Sequence, residues 1–306
     1  MARGTRACHA PRSVPSPERR PRHSARFLLA LAASVGAGLA LAAGALAEAG
    51  RGTGGTAARS SSAAPAPGPS IPLPGGAGYW LAGADGAVFT FGDVGFFGSK
   101  GSAPPGRGVI GMAPTPTGGG YWLVTADGTV FPFGDARSFG SARAVTRPVV
   151  AMAATPTGAG YWLVAADGGV FTFGDARFFG SRAGAATRRA KPIVGLAASP
   201  TGGGYWLVDN AGEVFPFGDA RPFGSMAGAP LARPVVGIAT AQSGKGYWLA
   251  AADGGVFSFG DARFFGSRAG APLTRPSVGM NTTPDGAVYS HLGAAGGVYT
   301  FGDAPV

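Results

Sequence analysis

Six carboxylates of this 306-residue chain stand in one repeated setting, the Asp of Phe-Gly-Asp: Asp93, Asp135, Asp175, Asp219, Asp261 and Asp303. A ring of equivalent carboxylates could hold cations or sugar hydroxyls. The same residue also serves a chain turn, where its side chain accepts backbone N–H bonds. Turn chemistry needs the Asp once per copy and a ligand site does not, so the turn role is expected. The spacing also lacks the Asp-x-Asp-x-Asp-Gly clustering of a calcium loop. A second recurrent Asp (Asp85, Asp127, Asp167, Asp253) precedes Gly and suits a hairpin turn. One copy has Ala211 there, between Asn210 and Gly212, a swap that suits a turn and not a ligand site.

Cations recur in register too. Arg147, Lys191, Arg233 and Arg275 each precede a Pro, and Arg137, Arg177, Arg221 and Arg263 follow the Phe-Gly-Asp turn. If strands alternate direction, the first set shares one end of the molecule and the second set the other. The first set would then ring an axis and could grip an anionic polymer. Its ordinary alternative is solvated loop charge.

Catalytic groups are scarce. His291 is the one His beyond residue 26. Ser99, Ser141, Ser181, Ser225 and Ser267 follow Gly in a repeating turn with no base nearby in sequence. No Ser-His-Asp set, metal cluster or phosphate loop stands out. A non-enzyme without metal or cofactor is expected, with a hydrolase or lyase as the alternative.

These residues are positioned by a repeat. Tyr79, Tyr121, Tyr161, Tyr205 and Tyr247 each precede a Trp (Trp80, Trp122, Trp162, Trp206, Trp248), and a worn copy begins at Tyr289. Successive intervals are 42, 40, 44, 42 and 42 residues, the mark of one supersecondary unit stacked on its copies. Within residues 149–181, Val149–Ala154 reads as strand A and Tyr161–Ala165 as strand B. Asp167-Gly168 turns the chain, Val170–Phe173 forms strand C, and Phe178-Phe179 a short strand D. Strands B and C are apolar on both sides, as in a blade packed between neighbours. The Trp could stack on sugars, but inter-blade core is the expected place. Fifty-six Gly argue against helix.

The Gly-Tyr-Trp-Leu and Phe-Gly-Asp units over about residues 78–306 resemble the repeat proteins of that pattern exported by actinobacteria. More distantly they resemble tectonin-type β-propeller repeats. The resemblance implies an exported protein of all-β propeller architecture and implies no catalytic residues. Counting Phe-Gly-Asp predicts six blades of about 42 residues. Five blades remain open, with Val278–Thr282 lending strand A to the first blade and residues 288–306 left as an extra hairpin.

Residues 1–47 read as a leader: a basic start, an uncharged stretch at 27–47, and Ala45-Leu46-Ala47 as a cleavage pattern. A retained N-terminal membrane anchor is the alternative, since 21 residues can span a bilayer. Residues 48–77, rich in Gly, Ala, Ser and Pro, read as a flexible linker to the repeat domain at 78–306. The leader holds seven Arg and one Glu, so +6 of the net +10 is topology signal. Nucleic acid is therefore not an expected partner. Cys8, the one cysteine, lies in the leader, so the exported part has no thiol chemistry. The expectation is a secreted or cell-surface monomer that binds or scaffolds without catalysis, its partner a surface protein or a cell-wall polysaccharide. Lectin-like recognition through Arg147, Lys191, Arg233 and Arg275 is the sharper form.

Overall fold

A computed structural model describes residues 33–34, 67–72, 78–184, 191–271, 273, 275–283, 286 and 288–302. Every regular element among them is a strand. No helix there is long and apolar enough to cross a membrane. β1 is the pair Ala33–Ser34. β2 (Pro67–Pro72), β3 (Gly78–Gly83) and β4 (Val88–Gly92) form the first antiparallel sheet. β5 (Val109–Pro114), β6 (Gly120–Thr125) and β7 (Val130–Gly134) form the second. The third has β8 (Val149–Ala154), β9 (Gly160–Ala165) and β10 (Val170–Gly174), with β1 paired to the free edge of β8. β11 (Ile193–Ala198), β12 (Gly204–Asp209) and β13 (Val214–Gly218) make the fourth. β14 (Val235–Thr240), β15 (Gly246–Ala251) and β16 (Val256–Gly260) make the fifth. β17 (Ser277–Thr282), β18 (Val288–Gly293) and β19 (Val298–Gly302) make the sixth.

Each sheet's first strand touches the first strand of the next, and β17 touches β2. The arrangement is propeller-like, with the first strands innermost. β17 pairs within its own sheet, so it does not lend a strand to the first one as the five-blade reading required. The first sheet instead takes β2 from within residues 48–77, the stretch read as linker. Pro67, Pro69 and Pro72 hide that strand in the sequence, yet an edge strand tolerates Pro because only one of its edges must donate to a ladder.

The middle strands of the second to fifth sheets are buried along their whole length. All five Trp are at most 1% exposed. Five apolar cores lie between sheets and not within them. Each joins the Trp of one sheet to the Tyr of the next, as Trp162 meets Tyr205 at 5.8 Å between ring centroids.

Strand D is absent: every described sheet built from one repeat has three strands. The Phe-Gly-Ser segment that follows the Phe-Gly-Asp turn is an aperiodic wedge between sheets. Its Phe packs on the preceding Trp and on the following Tyr, as Phe139 does on Trp122 and Tyr161. Its Gly carbonyl accepts the hydroxyl of the next sheet's Tyr: Gly98 from Tyr121, Gly140 from Tyr161, Gly180 from Tyr205, Gly224 from Tyr247 and Gly266 from Tyr289, at 2.5–2.6 Å. In three seams the Tyr hydroxyl oxygen in turn accepts a backbone N–H, from Phe179 to Tyr205, Phe223 to Tyr247 and Phe265 to Tyr289. The wedge has given these polar groups to a side chain, so a fourth ladder does not form. Burial raises the pKa of each of these Tyr, opposed by the bonds to the wedge backbone.

The wedge also requires Gly. Gly180 has φ of +140°, and a Cβ there would lie 2.4 Å from Cδ1 of Phe217 in the next sheet. Gly180→Ala should therefore cost about 2–4 kcal/mol by urea unfolding. Tyr161→Phe should cost about 1 kcal/mol, since it removes the bond to the Gly140 carbonyl. Tyr79→Phe should cost almost nothing, because Tyr79 makes no such bond. Equal losses for Tyr79→Phe and Tyr161→Phe would show that the hydroxyl does not latch the seam.

Candidate functional site

Four of the Phe-Gly-Asp carboxylates are occupied, while Asp93 makes no side-chain hydrogen bond among the described residues. Asp135 accepts Thr115 Oγ1 at 2.8 Å and also the Thr117 hydroxyl. Asp175 accepts Thr155 Oγ1 at 2.9 Å and Thr157 Oγ1 at 2.5 Å. Asp219 accepts the Thr201 hydroxyl, and Asp261 accepts Ser243 Oγ at 2.9 Å. Each carboxylate thus ties the turn between its sheet's first two strands to the end of the third. Backbone N–H partners were expected from the turn pattern, and hydroxyls are found. Asp303 lies outside the described residues. No group of His, Cys, Asp and Glu suited to a metal occurs among the described residues.

The hairpin Asp acts as a turn residue. Asp85, Asp127, Asp167 and Asp253 each accept the backbone N–H two residues on, at 3.0–3.1 Å. In the fourth sheet Asp209 substitutes from the end of β12, accepting N–H bonds from Ala211 and Glu213, both at 2.9 Å. That transfer explains why Ala211 is tolerated.

The hairpin turns share one end of the molecule with the loops that enter the first strands. Ala166 N–H donates to Pro148 at 2.9 Å, Asn210 to Pro192 at 3.0 Å and Ala252 to Pro234 at 2.9 Å. Arg147, Lys191, Arg233 and Arg275 therefore stand on that end, all exposed, at the mouths of the innermost strands. Arg107 stands in the same position of the second sheet, where Ala126 N–H donates to Gly108 at 3.2 Å. The sequence pattern keyed on Pro, and Gly108 replaces Pro there, so Arg107 went unseen.

Clefts lie between successive cations, each holding one hairpin Asp. Arg107 and Arg147 flank Asp127 in a cleft of about 270 Å³. Arg147 and Lys191 flank Asp167 in one of about 430 Å³, joined by Arg182. Arg233 and Arg275 flank Asp253 in one of about 580 Å³. Among the described residues none of these five entry-loop cations makes a hydrogen bond or ion pair. The second cationic set, at the opposite end, has a structural reason for its backbone and, apart from Arg263 lying 5.6 Å from the Phe265 ring centre, none for its charge. The carbonyls of Arg137, Arg177, Arg221 and Arg263 accept the Trp indole N–H at 2.7–2.8 Å, and Gly95 does the same in the first sheet.

His291 is not placed for catalysis. It is 1% exposed and sits in register where other sheets have Leu, opposite Met280 as Leu163 is opposite Met152. Its Nδ1 lies 3.2 Å from Ser277 Oγ, and its Nε2 has no partner. Burial lowers its pKa from 6.5 to about 4, weakly opposed by the Asp253 charge.

No family model matches the chain, and no curated protein matches it. Among solved structures it is similar to a structural-genomics protein of unknown function from Bacteroides thetaiotaomicron VPI-5482. The TM-score is 0.53 at 12% identity, over 79% of this chain and 70% of that one. The likeness is one of fold alone.

His291 predicts an acid-sensitive fold. Its folded pKa of about 4 lies below the ordinary 6.5, so the unfolded chain binds the proton first. Its full contribution is present above pH 6.5 and is lost as pH falls towards 4, a loss of about 3 kcal/mol. His291→Leu should flatten that part of the stability–pH curve. Parallel curves for the two proteins between pH 7 and pH 4 would contradict the assignment.

Proposed function

We propose that this protein is an exported, non-catalytic binding module, a six-bladed β-propeller on a leader and linker, that holds an extended anionic cell-wall polymer. The observation that carries the reading is the run of exposed, unpaired cations at one register position: Arg107, Arg147, Lys191, Arg233 and Arg275. Like charges spaced around one axis repel, so fold stability gives no reason to repeat them. Backbone bonds at the opposite end explain the position of the second set but need no particular side chain. At this end the cleft between neighbours offers two cations to an anionic group and one Asp to a hydroxyl. A phosphate- or carboxylate-bearing glycan matches that mixture. Several weak contacts on one polymer then add through effective concentration.

The binding should be steeply salt-dependent, since exposed charges are screened within about 8 Å at physiological ionic strength. Replacing all five cations with Gln should reduce retention of a wall teichoic-acid-type polyphosphate at least tenfold, leaving the far-UV spectrum unchanged. Single replacements should each cost little. Retention of neutral polysaccharide as tight as that of the polyphosphate would refute the reading.

A further inference from the structure

The seam between the sixth and first sheets differs from the other five. In every other seam the preceding wedge covers two aromatic residues of the third strand. Phe131 and Phe133, Phe171 and Phe173, Phe215 and Phe217, Phe257 and Phe259, and Tyr299 and Phe301 are all partly buried. Their counterparts on β4, Phe89 and Phe91, are 55% and 41% exposed. The first sheet's Tyr also differs. Tyr79 is partly exposed and its hydroxyl has no partner among the described residues, whereas Tyr121, Tyr161, Tyr205, Tyr247 and Tyr289 are fully buried and latched. Its ring lies flat on Phe91, centroids 4.8 Å apart at 14°, where the latched Tyr meet their Phe at 5.3–5.7 Å and 39–43°.

The facing wall is altered as well. The Trp position of each sheet points to the next sheet, as Trp206 points to Tyr247. In the sixth sheet that position is Ser290, paired across the ladder with Asn281. Asn281 is 5% exposed and its Oδ1 has no partner. Among the described residues the seam therefore has an unfilled aromatic floor, a free phenol and an orphaned buried acceptor.

We infer that this seam is a docking groove for an extended segment of another polypeptide carrying Phe-Gly-Ser, which seats as the wedge does in the other five seams. What fills the equivalent space elsewhere defines the chemistry. The Tyr hydroxyl donates to a Gly carbonyl and accepts a Phe N–H, so the occupant must supply peptide groups. Phe in front of the Gly fills the space between sheets. Gly is demanded by contact with the second aromatic: a Cβ on Gly98, Gly180, Gly224 or Gly266 would come within 3.0 Å of the next sheet's Phe. On the first sheet that aromatic is Phe91. The wedges entering the third and fifth sheets, the odd ones like the first, end in Ala142 and Met226, so a small or apolar residue should follow the Ser. The chain's own described wedges are each engaged in a seam, which makes a second copy a poor donor. The groove stands on the third strand and is independent of the cationic end.

The test uses the full-length protein and a synthetic peptide with the sequence of residues 220–228, Ala-Arg-Pro-Phe-Gly-Ser-Met-Ala-Gly. The peptide should bind with one-to-one stoichiometry by calorimetry. The same peptide with Ala at the Gly of Phe-Gly-Ser should bind at least tenfold more weakly. Phe89→Ser with Phe91→Ser in the protein should weaken binding at least tenfold, with the emission of the buried Trp retained as evidence of folding. Tyr79→Phe should weaken it severalfold without touching any other seam. Absence of binding overturns the inference, as does equal binding of the Gly and Ala peptides. A concentration-dependent dimer abolished by the double Ser variant would overturn it in favour of a second copy.

Discussion

One hydrogen bond, repeated, holds the sheets in register: the phenol of each buried Tyr reaching back to the Gly carbonyl of the preceding wedge. Apolar contact alone would bring neighbouring sheets together without fixing their offset, because burial is non-directional. The phenol supplies direction. It lies at the end of a rigid ring whose other face packs on Trp, so its position is determined by the same core it locks. The wedge is held from its own side by the Trp indole, which bonds the chain just ahead of it. A single Tyr-Trp dipeptide therefore serves two seams. Tyr faces backwards and Trp faces forwards, as alternate residues of a strand must.

This economy separates the two ends of the molecule. At one end four Phe-Gly-Asp carboxylates are consumed by hydroxyls of the neighbouring turn, and the Arg that follow contribute carbonyls to Trp. At the other end the hairpin Asp completes its own turn and the entry-loop cations have no structural employment. Charge without a structural task is where binding is to be sought, and at this end it lines clefts that also hold the hairpin Asp.

The repeat made much of this legible. Strands B and C and the hairpin between them are local patterns, and the five Trp are buried as their place in a two-sided strand implies. What depended on partners from another segment was not legible. Asp135 gave no sign in sequence that Thr115 and Thr117 would be its donors, because they lie about twenty residues away across the sheet. Phe178-Phe179 resembles a strand by propensity, but the seam claims its polar groups. Pro67–Pro72 resembles linker by composition, yet its place on the inner edge makes those Pro acceptable. Arg107 and Asp209 were each displaced from the motif by one substitution, Gly108 for Pro and Asp at the strand end for Asp in the turn. The cationic set could be placed on one end from strand direction alone. That those cations are unpaired needed coordinates.

The seams also follow a rule of twos that bears on closure. The wedges leaving the first, third and fifth sheets end in Lys100, Arg182 and Arg268, whose charges lie 3.9–4.9 Å from the ring centres of Phe131, Phe215 and Tyr299. Those leaving the second and fourth end in Ala142 and Met226. The residue ahead of the wedge Phe alternates in step: Phe96, Phe178 and Phe264 are 55–59% exposed, against Ser138 and Pro222 in the other two. A pattern of period two closes without conflict only on an even number of units. In a ring of five, two cation-bearing sheets would meet at the seam and the alternation would break there. Six sheets let it run through, and they place an even-type seam in front of the first sheet. That seam is the one whose aromatic floor is bare.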